Sequence, residues 1–303
     1  MARARYPAAM RLARVLGALG RTFITGGVLI LLFVVYQLWG TGLREAQAQN
    51  RLEDEFEETL GALRRSTTSD PGAPTTTTIP ELPADGDAVV RLVIPAIGVD
   101  EIVVEGVTLS DLKRGPGHYP QTPLPGQEGN AAIAGHRTTY GAPFGRIDEL
   151  KPGDEIRVRT VQRTFLYEVA ALPHVVEPTA FEVLDDKGDD RLTLTACHPK
   201  YSARQRIIAV ATLADEPVVA PARVKDEGFY RDPSTFDAGP GGAKAGNWPA
   251  IWLGVGCAAI WLVAWLVGRR WKKWPAYAIA SPFFFVMLFF FFENFARLLP
   301  SNF

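Results

Sequence analysis

Three stretches without a single charged residue constrain this chain most strongly, namely Thr22–Trp39, Trp248–Val267 and Pro275–Phe292. Each is about as long as an α-helix must be to cross a hydrocarbon core of ~30 Å. We therefore predict one membrane-spanning helix near the N-terminus and two near the C-terminus. The prolines of the third stretch, Pro275 and Pro282, leave open a kinked or re-entrant helix there.

Basic residues flank these stretches unevenly, and the positive side of a span usually lies in the cytoplasm. The two basic clusters are Arg3, Arg5, Arg11, Arg14 and Arg21 before the first stretch, and Arg269, Arg270, Lys272 and Lys273 between the other two. Both predict the same topology: a multi-pass protein of the cell membrane with residues 40–247 outside the cell. Ala46-Gln47-Ala48 fits a signal-peptidase pattern, but the long apolar run favours an uncleaved anchor over a cleaved signal peptide.

Composition divides the rest of the chain. Residues 44–65 are polar, rich in Glu and free of Pro, and they predict an exposed helical stalk, whereas residues 66–83 form a Thr- and Pro-rich spacer. The predicted segments are a cytoplasmic N-terminus (1–21), an anchor (22–40), stalk and linker (41–83), a catalytic domain (84–214), a linker (215–247), a span (248–268), a cytoplasmic loop (269–274), a span (275–292) and an extracellular tail (293–303).

The domain at residues 84–214 has the pattern of an all-β fold. Short β-branched runs alternate with turns rich in Gly and Pro, as in Val89–Ile94 and the predicted hairpin of Asp154–Thr160 with Arg163–Leu172. Further strands are predicted at Glu101–Val107, Asn130–Ala134, Arg191–Ala196 and Arg206–Leu213, with short helices at Leu109–Arg114 and Phe144–Leu150. Many short strands around one core indicate a closed or nearly closed β-barrel.

The two cysteines and His136 raise the question of whether the chain carries a reactive thiol. Cys257 lies inside the second apolar stretch, so we expect Cys197 and Cys257 to be free thiols. Cys197 ends a predicted strand, and His136 directly follows another, so the sheet would hold the backbone of both residues rigidly. A thiol becomes a good nucleophile only beside a base or a cation. Spacing alone allows, but does not require, that His136 and Arg206 lie next to Cys197.

Four ordered motifs resemble the sortase family and cover the whole outer domain. They are Ala132-Ile133-Ala134-Gly135-His136-Arg137, Phe144–Asp154, Leu192–Cys197 and Arg206-Ile207-Ile208. The string from Gly115 to Asn130 is similar to class E, and partly class D, sortases of Gram-positive bacteria, especially actinobacteria. The resemblance implies a barrel of seven or eight strands.

The resemblance also implies roles for individual residues. Cys197 would be the nucleophile, His136 the acid and base, and Arg206, preferred over Arg204, the group that positions substrate and stabilises an oxyanion. His118, Tyr119 and Ala196 would bind substrate, and Ala196 stands where the family usually has Thr. Arg137 would be structural, and His198 a poor base because neighbouring strand residues point to opposite faces.

The expected reaction cleaves a Leu-Ala/Pro-x-Thr-Gly-like sorting signal between Thr and Gly through a thioacyl-enzyme. The partners implied are surface proteins that carry this signal, an amine from a peptidoglycan precursor or a pilin, and the lipid bilayer. No cofactor, metal site or nucleic-acid partner is predicted. A hydrolytic cysteine peptidase and a non-catalytic membrane scaffold with the same barrel are the alternatives.

Overall fold

The structure, a computed structural model, describes residues 6–68, 83–218, 248–271 and 273–296. It divides into two compact units at Gly40. The helical unit comprises the described residues up to Gly40 and from 248 onward, and the barrel unit comprises those from Thr41 to 218. Most of the predicted Thr- and Pro-rich spacer and of the second linker lies outside the described residues.

Five α-helices occur within these residues: α1 (Tyr6–Val35), α2 (Thr41–Thr68), α3 (Leu109–Leu112), α4 (Trp248–Arg270) and α5 (Lys273–Ala296). A π-helical turn, Tyr36–Gly40, follows α1.

The helical unit contains long apolar helices with apolar side chains on the outside. Among the described residues, three helical stretches are long and apolar enough to cross a membrane, which agrees with the predicted number: Leu19–Ala62, Trp248–Arg270 and Lys273–Phe295. Helix α5 continues through Pro282. Side chains such as Phe283 are largely exposed, which suits a lipid-facing surface. The unit has its own small core, formed by Tyr36, Cys257, Leu288 and Phe292.

The barrel unit is built from short strands, as the alternating sequence predicts. Within the described residues they are β1 (Ala88–Ile94), β2 (Val99–Glu105), β3 (Gly117–His118), β4 (Asn130–Ala134), β5 (Glu155–Arg159), β6 (Thr164–Val169), β7 (His174–Val176), β8 (Arg191–His198) and β9 (Gln205–Leu213). The two-residue β3 and the short β7 have no apolar alternation, which is why the sequence did not predict them.

Eight of these strands close into a ring. Their order is β6-β5-β1-β2-β3-β4-β8-β9, and β9 pairs back with β6, while β7 extends the sheet beside β9. The predicted all-β barrel of seven or eight strands is therefore confirmed. Closure leaves no free edge between the ring strands, and every second side chain faces one shared core. That core includes Leu192, Leu194 and Ala196 of β8.

Helix α2 corrects one prediction. A helix does occupy the predicted stalk, but the expectation that it is exposed was wrong. Leu52, Phe56 and Leu60 recur every four residues on one face, are buried, and pack against Ile102 and Val104 of β2. Three apolar side chains at this spacing were hidden among many charged ones.

Polar contacts fix the position of α2 on the barrel. The Gln49 side chain accepts a hydrogen bond from the Ile102 amide at 2.7 Å and donates one to the Ile102 carbonyl at 2.9 Å. Glu53 forms an ion pair with Arg91 at 2.9 Å. Exposed pairs of this kind contribute little, so the buried apolar face and Gln49 hold the helix.

Candidate active site

Cys197 lies near the end of β8, directly across from Arg206 on β9. The two residues are register partners in the antiparallel β8–β9 ladder. Opposite residues in such a ladder have Cβ atoms about 4.5–5.5 Å apart, so side chains on one face meet. Cys197 is half-buried and both cysteines are free, as predicted. The ladder thus places a thiol and a guanidinium next to each other.

His136 reaches the same place from the other neighbour of β8. Strand β4 pairs in parallel with β8, with Ala134 opposite Thr195. The Gly135 amide extends the pairing by donating to the Thr195 carbonyl at 3.0 Å. Because parallel strands advance together, two residues past Ala134 correspond to Cys197. Cys197, His136 and Arg206 therefore come from three adjacent strands at one end of the barrel.

A close approach of backbone to Phe144 shapes the turn after β4. A Cβ at Gly135 would stand 2.6 Å from the Phe144 ring, so no larger residue fits there. Phe144 is fully buried, and its amide donates to the His136 carbonyl at 3.1 Å. The chain around His136 is thus anchored to the core.

The surroundings of His136 favour a neutral imidazole. Burial, with a smaller effect from the positive charge of Lys113, lowers the pKa of His136 from 6.5 to about 4. Its Nε2 atom is buried and has no hydrogen-bond partner among the described residues. A neutral ring with a free nitrogen can accept a proton from a thiol or from an attacking amine.

The Arg206 side chain is half-buried and folds back toward its own strand. Its Nη1 donates to the carbonyls of Ala203 at 3.0 Å and Gln205 at 3.1 Å. These contacts orient the guanidinium, and Arg206 lines the cavity described next. Arg204, the alternative, is exposed and is not among the residues that line it.

A cavity of about 290 Å³ joins the three side chains. One wall is the segment 176–184, which connects β7 to β8, and sequence reasoning missed this wall. Asn130 holds it, because its Nδ2 donates to the carbonyls of Val183 at 2.9 Å and Asp185 at 3.0 Å. A buried Asn at the start of an apolar strand was the available signal, since a buried amide must find partners.

Tyr119 and Ala196, two of the three residues predicted to bind substrate, also line this cavity. The Tyr119 hydroxyl forms a 3.2 Å hydrogen bond with the Thr195 hydroxyl. Burial raises the pKa of Tyr119, so the phenol stays neutral. Ala196 is almost fully buried and belongs to the barrel core. A larger residue at this position would have to be accommodated beside its cross-strand partner, Ile207.

His118 is not brought together with the other candidates. It is fully buried, its Nδ1 lies 2.8 Å from the Glu105 carboxylate, and its Nε2 lies 2.9 Å from the Pro123 carbonyl. It is absent from the residues that line the cavity. The structure therefore places His118 inside the scaffold, where it ties β3 to β2 and to the following loop.

Arg137 occupies the structural place that the sequence predicted for it. Its buried guanidinium lies 2.9 Å from the Asp148 carboxylate and contacts His198 Nδ1 at 2.8 Å. Burial opposes the ionisation of Asp148, but the hydrogen bond and charge of Arg137 lower its pKa overall. His198 is thus engaged away from the thiol. Among the described residues, no group of three or more His, Cys, Asp or Glu side chains is arranged to hold a metal ion.

Comparisons with known proteins find sortases among the similar sequences. Residues 92–214 match the family model described as the Sortase domain. Sortase SrtE1 of Streptomyces coelicolor is 36% identical over 230 residues, a match that covers 71% of this chain and 61% of that protein. Sortase SrtE2 of the same organism is 29% identical over 216 residues, or 65% of this chain and 81% of that protein. The chain thus spans less than two thirds of the length of Sortase SrtE1.

Among solved structures, sortase E from Streptomyces avermitilis is 36% identical. The match covers 45% of this chain and 93% of that one, with a TM-score of 0.40. The family model and the two Streptomyces coelicolor sortases confirm the resemblance to sortases, including the class E type.

Proposed function

Because the chain belongs to the sortase family, we propose that it is a membrane-anchored cysteine transpeptidase with Cys197 as its nucleophile. The observation that carries this proposal is the cross-strand pairing of Cys197 with Arg206, beside the strand that leads into His136. A nucleophile, a base and a fixed cation at one cavity are the groups that acyl transfer through a thioester requires.

The first half of the proposed reaction forms the thioester. His136 Nε2 accepts the proton of the Cys197 thiol, and the sulfur attacks the carbonyl carbon of the Thr-Gly bond. The carbonyl electron pair moves onto oxygen, where the Arg206 guanidinium stabilises the negative charge. When the tetrahedral intermediate collapses, the C–N bond breaks and the glycine amine takes the proton from His136. The substrate threonine is then joined to Cys197 through sulfur.

The second half reverses these roles. An acceptor amine attacks the thioester carbonyl and loses a proton to His136, and the C–S bond breaks to give a new amide. His136 returns the proton to the Cys197 sulfur. The lowered pKa of His136 keeps the resting ring neutral and makes its protonated form a strong acid toward the departing amine.

The proposed substrate is a sorting signal of the Leu-Ala/Pro-x-Thr-Gly type at the C-terminus of surface proteins. The lining of the cavity is consistent with a short peptide as substrate, since it combines apolar side chains such as Leu112, Phe181 and Leu184 with the polar Tyr119. The acceptor would be an amine of a peptidoglycan precursor or of a pilin.

The proposed location is the outer face of the cell membrane. We propose that residues 22–40, 248–268 and 275–292 cross the bilayer, with the basic segments 1–21 and 269–274 inside and the domain 84–214 outside. Three helical stretches of sufficient length and apolarity support this arrangement. In it, the signal-bearing protein and the acceptor amine both lie on the same side as Cys197.

The test is mass spectrometry of a reporter peptide incubated with the full-length protein, with and without added amines. The expected product is the reporter joined to the amine, and Cys197→Ala abolishes it. Cleavage with water as the only acceptor would instead indicate a hydrolytic peptidase. A wild-type protein that neither cleaves the reporter nor reacts at Cys197 with an electrophilic sorting-signal mimic would leave the scaffold alternative.

A further inference from the structure

The loop after β4, residues 137–143, holds one side chain whose place the reaction above does not explain. Tyr140 packs its ring against His136, with ring centroids 5.1 Å apart and planes inclined by 36°. Its φ of 50° lies in the left-handed region, which residues other than glycine rarely adopt. Such strain persists only where the surrounding structure enforces it, so contacts from neighbouring elements must hold Tyr140 against His136.

The first turn of α2 provides part of that hold. Thr41, its first residue, is fully buried, and its hydroxyl accepts a hydrogen bond from the Tyr140 amide at 3.2 Å. The next residue, Gly141, lies against the Glu45 carboxylate so closely that a Cβ there would stand 2.5 Å from Oε2. The loop therefore rests on a helix that lies outside the barrel and far from it in sequence.

A second hold comes from α3. Lys113, the residue that caps the C-terminus of this helix, places its Nζ 5.8 Å from the centre of the Tyr140 ring. Lys113 is also the charge that acts on His136. Lys113, Tyr140 and His136 thus form a small cluster in which the aromatic ring contacts both basic side chains.

In nucleophile–histidine pairs the base is usually oriented by a third group. At His136 the nitrogen proposed to move the proton, Nε2, has no hydrogen-bond partner among the described residues, so it is left for the reaction and the ring must be oriented by other contacts. The ring in contact with the imidazole is that of Tyr140.

We propose that Tyr140 is a positioning residue for His136, and that the first turn of α2 and Lys113 hold Tyr140 in that role. The proposal rests on the proposed function, because it assumes that His136 moves the protons of the transfer reaction. In this proposal α2, the helix that directly follows the first apolar stretch in sequence, does more than pack on the barrel. Through Tyr140 it also orients the His136 ring for the reaction.

The decisive variant is Tyr140→Asn in the full-length protein, because Asn tolerates the left-handed backbone and removes only the ring. We expect kcat for peptide transfer to fall at least about tenfold with little change in KM, as a misplaced base does. The acidic limb of kcat/KM against pH should move to higher pH, because water then reaches the imidazole. Tyr140→Phe keeps the ring and should restore both properties.

Two further variants separate the ring from the loop. Ala142→Gly relieves a second left-handed residue, with φ of 48°, and should leave kcat and the pH profile unchanged. Thr41→Val removes the hydrogen-bond acceptor of Tyr140 and should lower kcat in the same direction as Tyr140→Asn, but by less. If Tyr140→Asn does not fold, Thr41→Val decides. A folded Tyr140→Asn with wild-type kcat and pH profile overturns the proposal, and so does an equal loss in Ala142→Gly.

Alkylation of Cys197 by iodoacetamide keeps this test independent of the transfer reaction. The rate is followed against pH by peptide mass spectrometry in a Cys257→Ala background. We expect Tyr140→Asn to move the profile toward that of His136→Gln. If the wild-type protein transfers no peptide but Tyr140→Asn still displaces the alkylation profile, the proposed function fails and the positioning role stands. If transfer occurs and the profile does not move, the positioning role alone is refuted.

Discussion

A buried pair of carboxyl groups at the contact between α2 and β2 makes the stability of the barrel unit depend on pH. Glu45 is almost fully buried, and the half-buried Glu101 lies close enough for its charge to act on the Glu45 carboxyl. Burial, and then the charge of Glu101, raises the pKa of Glu45 from 4.5 to about 8. Between these two values the folded protein holds a proton that the unfolded chain has lost. The free energy of unfolding therefore falls as the pH rises from about 4.5 to about 8.

The size of this loss follows from the displacement of the pKa. Each unit corresponds to about 1.4 kcal/mol, so 3.5 units (8 − 4.5) set a ceiling of roughly 5 kcal/mol. We expect about 2–3 kcal/mol, because rearrangement and water penetration screen an ionised pair. Glu45→Gln cannot ionise and keeps a group able to hydrogen-bond to Glu101. It should match wild type near pH 4.5 and be more stable by this amount at pH 8.5.

Hydrogen exchange read by mass spectrometry is the suitable assay. All seven tryptophans lie outside residues 41–246, so tryptophan fluorescence would not report on the barrel unit. Protection of peptides from α2 and β2, corrected for the intrinsic effect of pH, should decline with pH in wild type and stay level in Glu45→Gln. Glu55→Gln, an exposed position on the same helix, is the matched control. Equal pH dependence in wild type and Glu45→Gln would refute the reasoning.

Three further substitutions follow from packing and hydrogen bonding. Phe56→Ala removes a fully buried ring from the contact of α2 with the barrel and should cost about 3–5 kcal/mol, measured as lost exchange protection in α2. Gly117→Ala places a Cβ that overlaps the backbone carbonyl of Gly106, so the folded yield on size-exclusion chromatography should collapse, which a normal yield would contradict. Asn130→Ala frees two carbonyls of the cavity wall and should raise KM for the peptide more than it lowers kcat, in steady-state assays.

The sequence predicted the barrel because the alternation of β-branched residues survives in the strands. Asn130–Ala134 was predicted with the bounds that the structure has, and β8 and β9 differ by one or two residues at their ends. Strand β3 was missed because its two residues are selected by pairing with neighbours far along the chain, which a local pattern does not contain.

At the site, the sequence predicted the residues but not their arrangement. Spacing along the chain left the approach of His136 to Cys197 open, and the parallel β4–β8 register supplies it. His118 was assigned to the groove from its motif, whereas the buried Glu105 beside it could not be inferred from local sequence. The wall at residues 176–184 and the buried face of α2 were missed for the same reason: their partners lie elsewhere along the chain.

The register of the strands also has a consequence for the order in which the chain folds. Cys197 and Arg206 lie on consecutive antiparallel strands, so their pairing closes only a short loop. His136 meets them only through the parallel pairing of β4 with β8, which must first close a long loop at a larger entropic cost. A partly folded chain would carry Cys197 as an ordinary thiol without its base. Reactivity therefore arises at a late stage of folding, when the barrel closes.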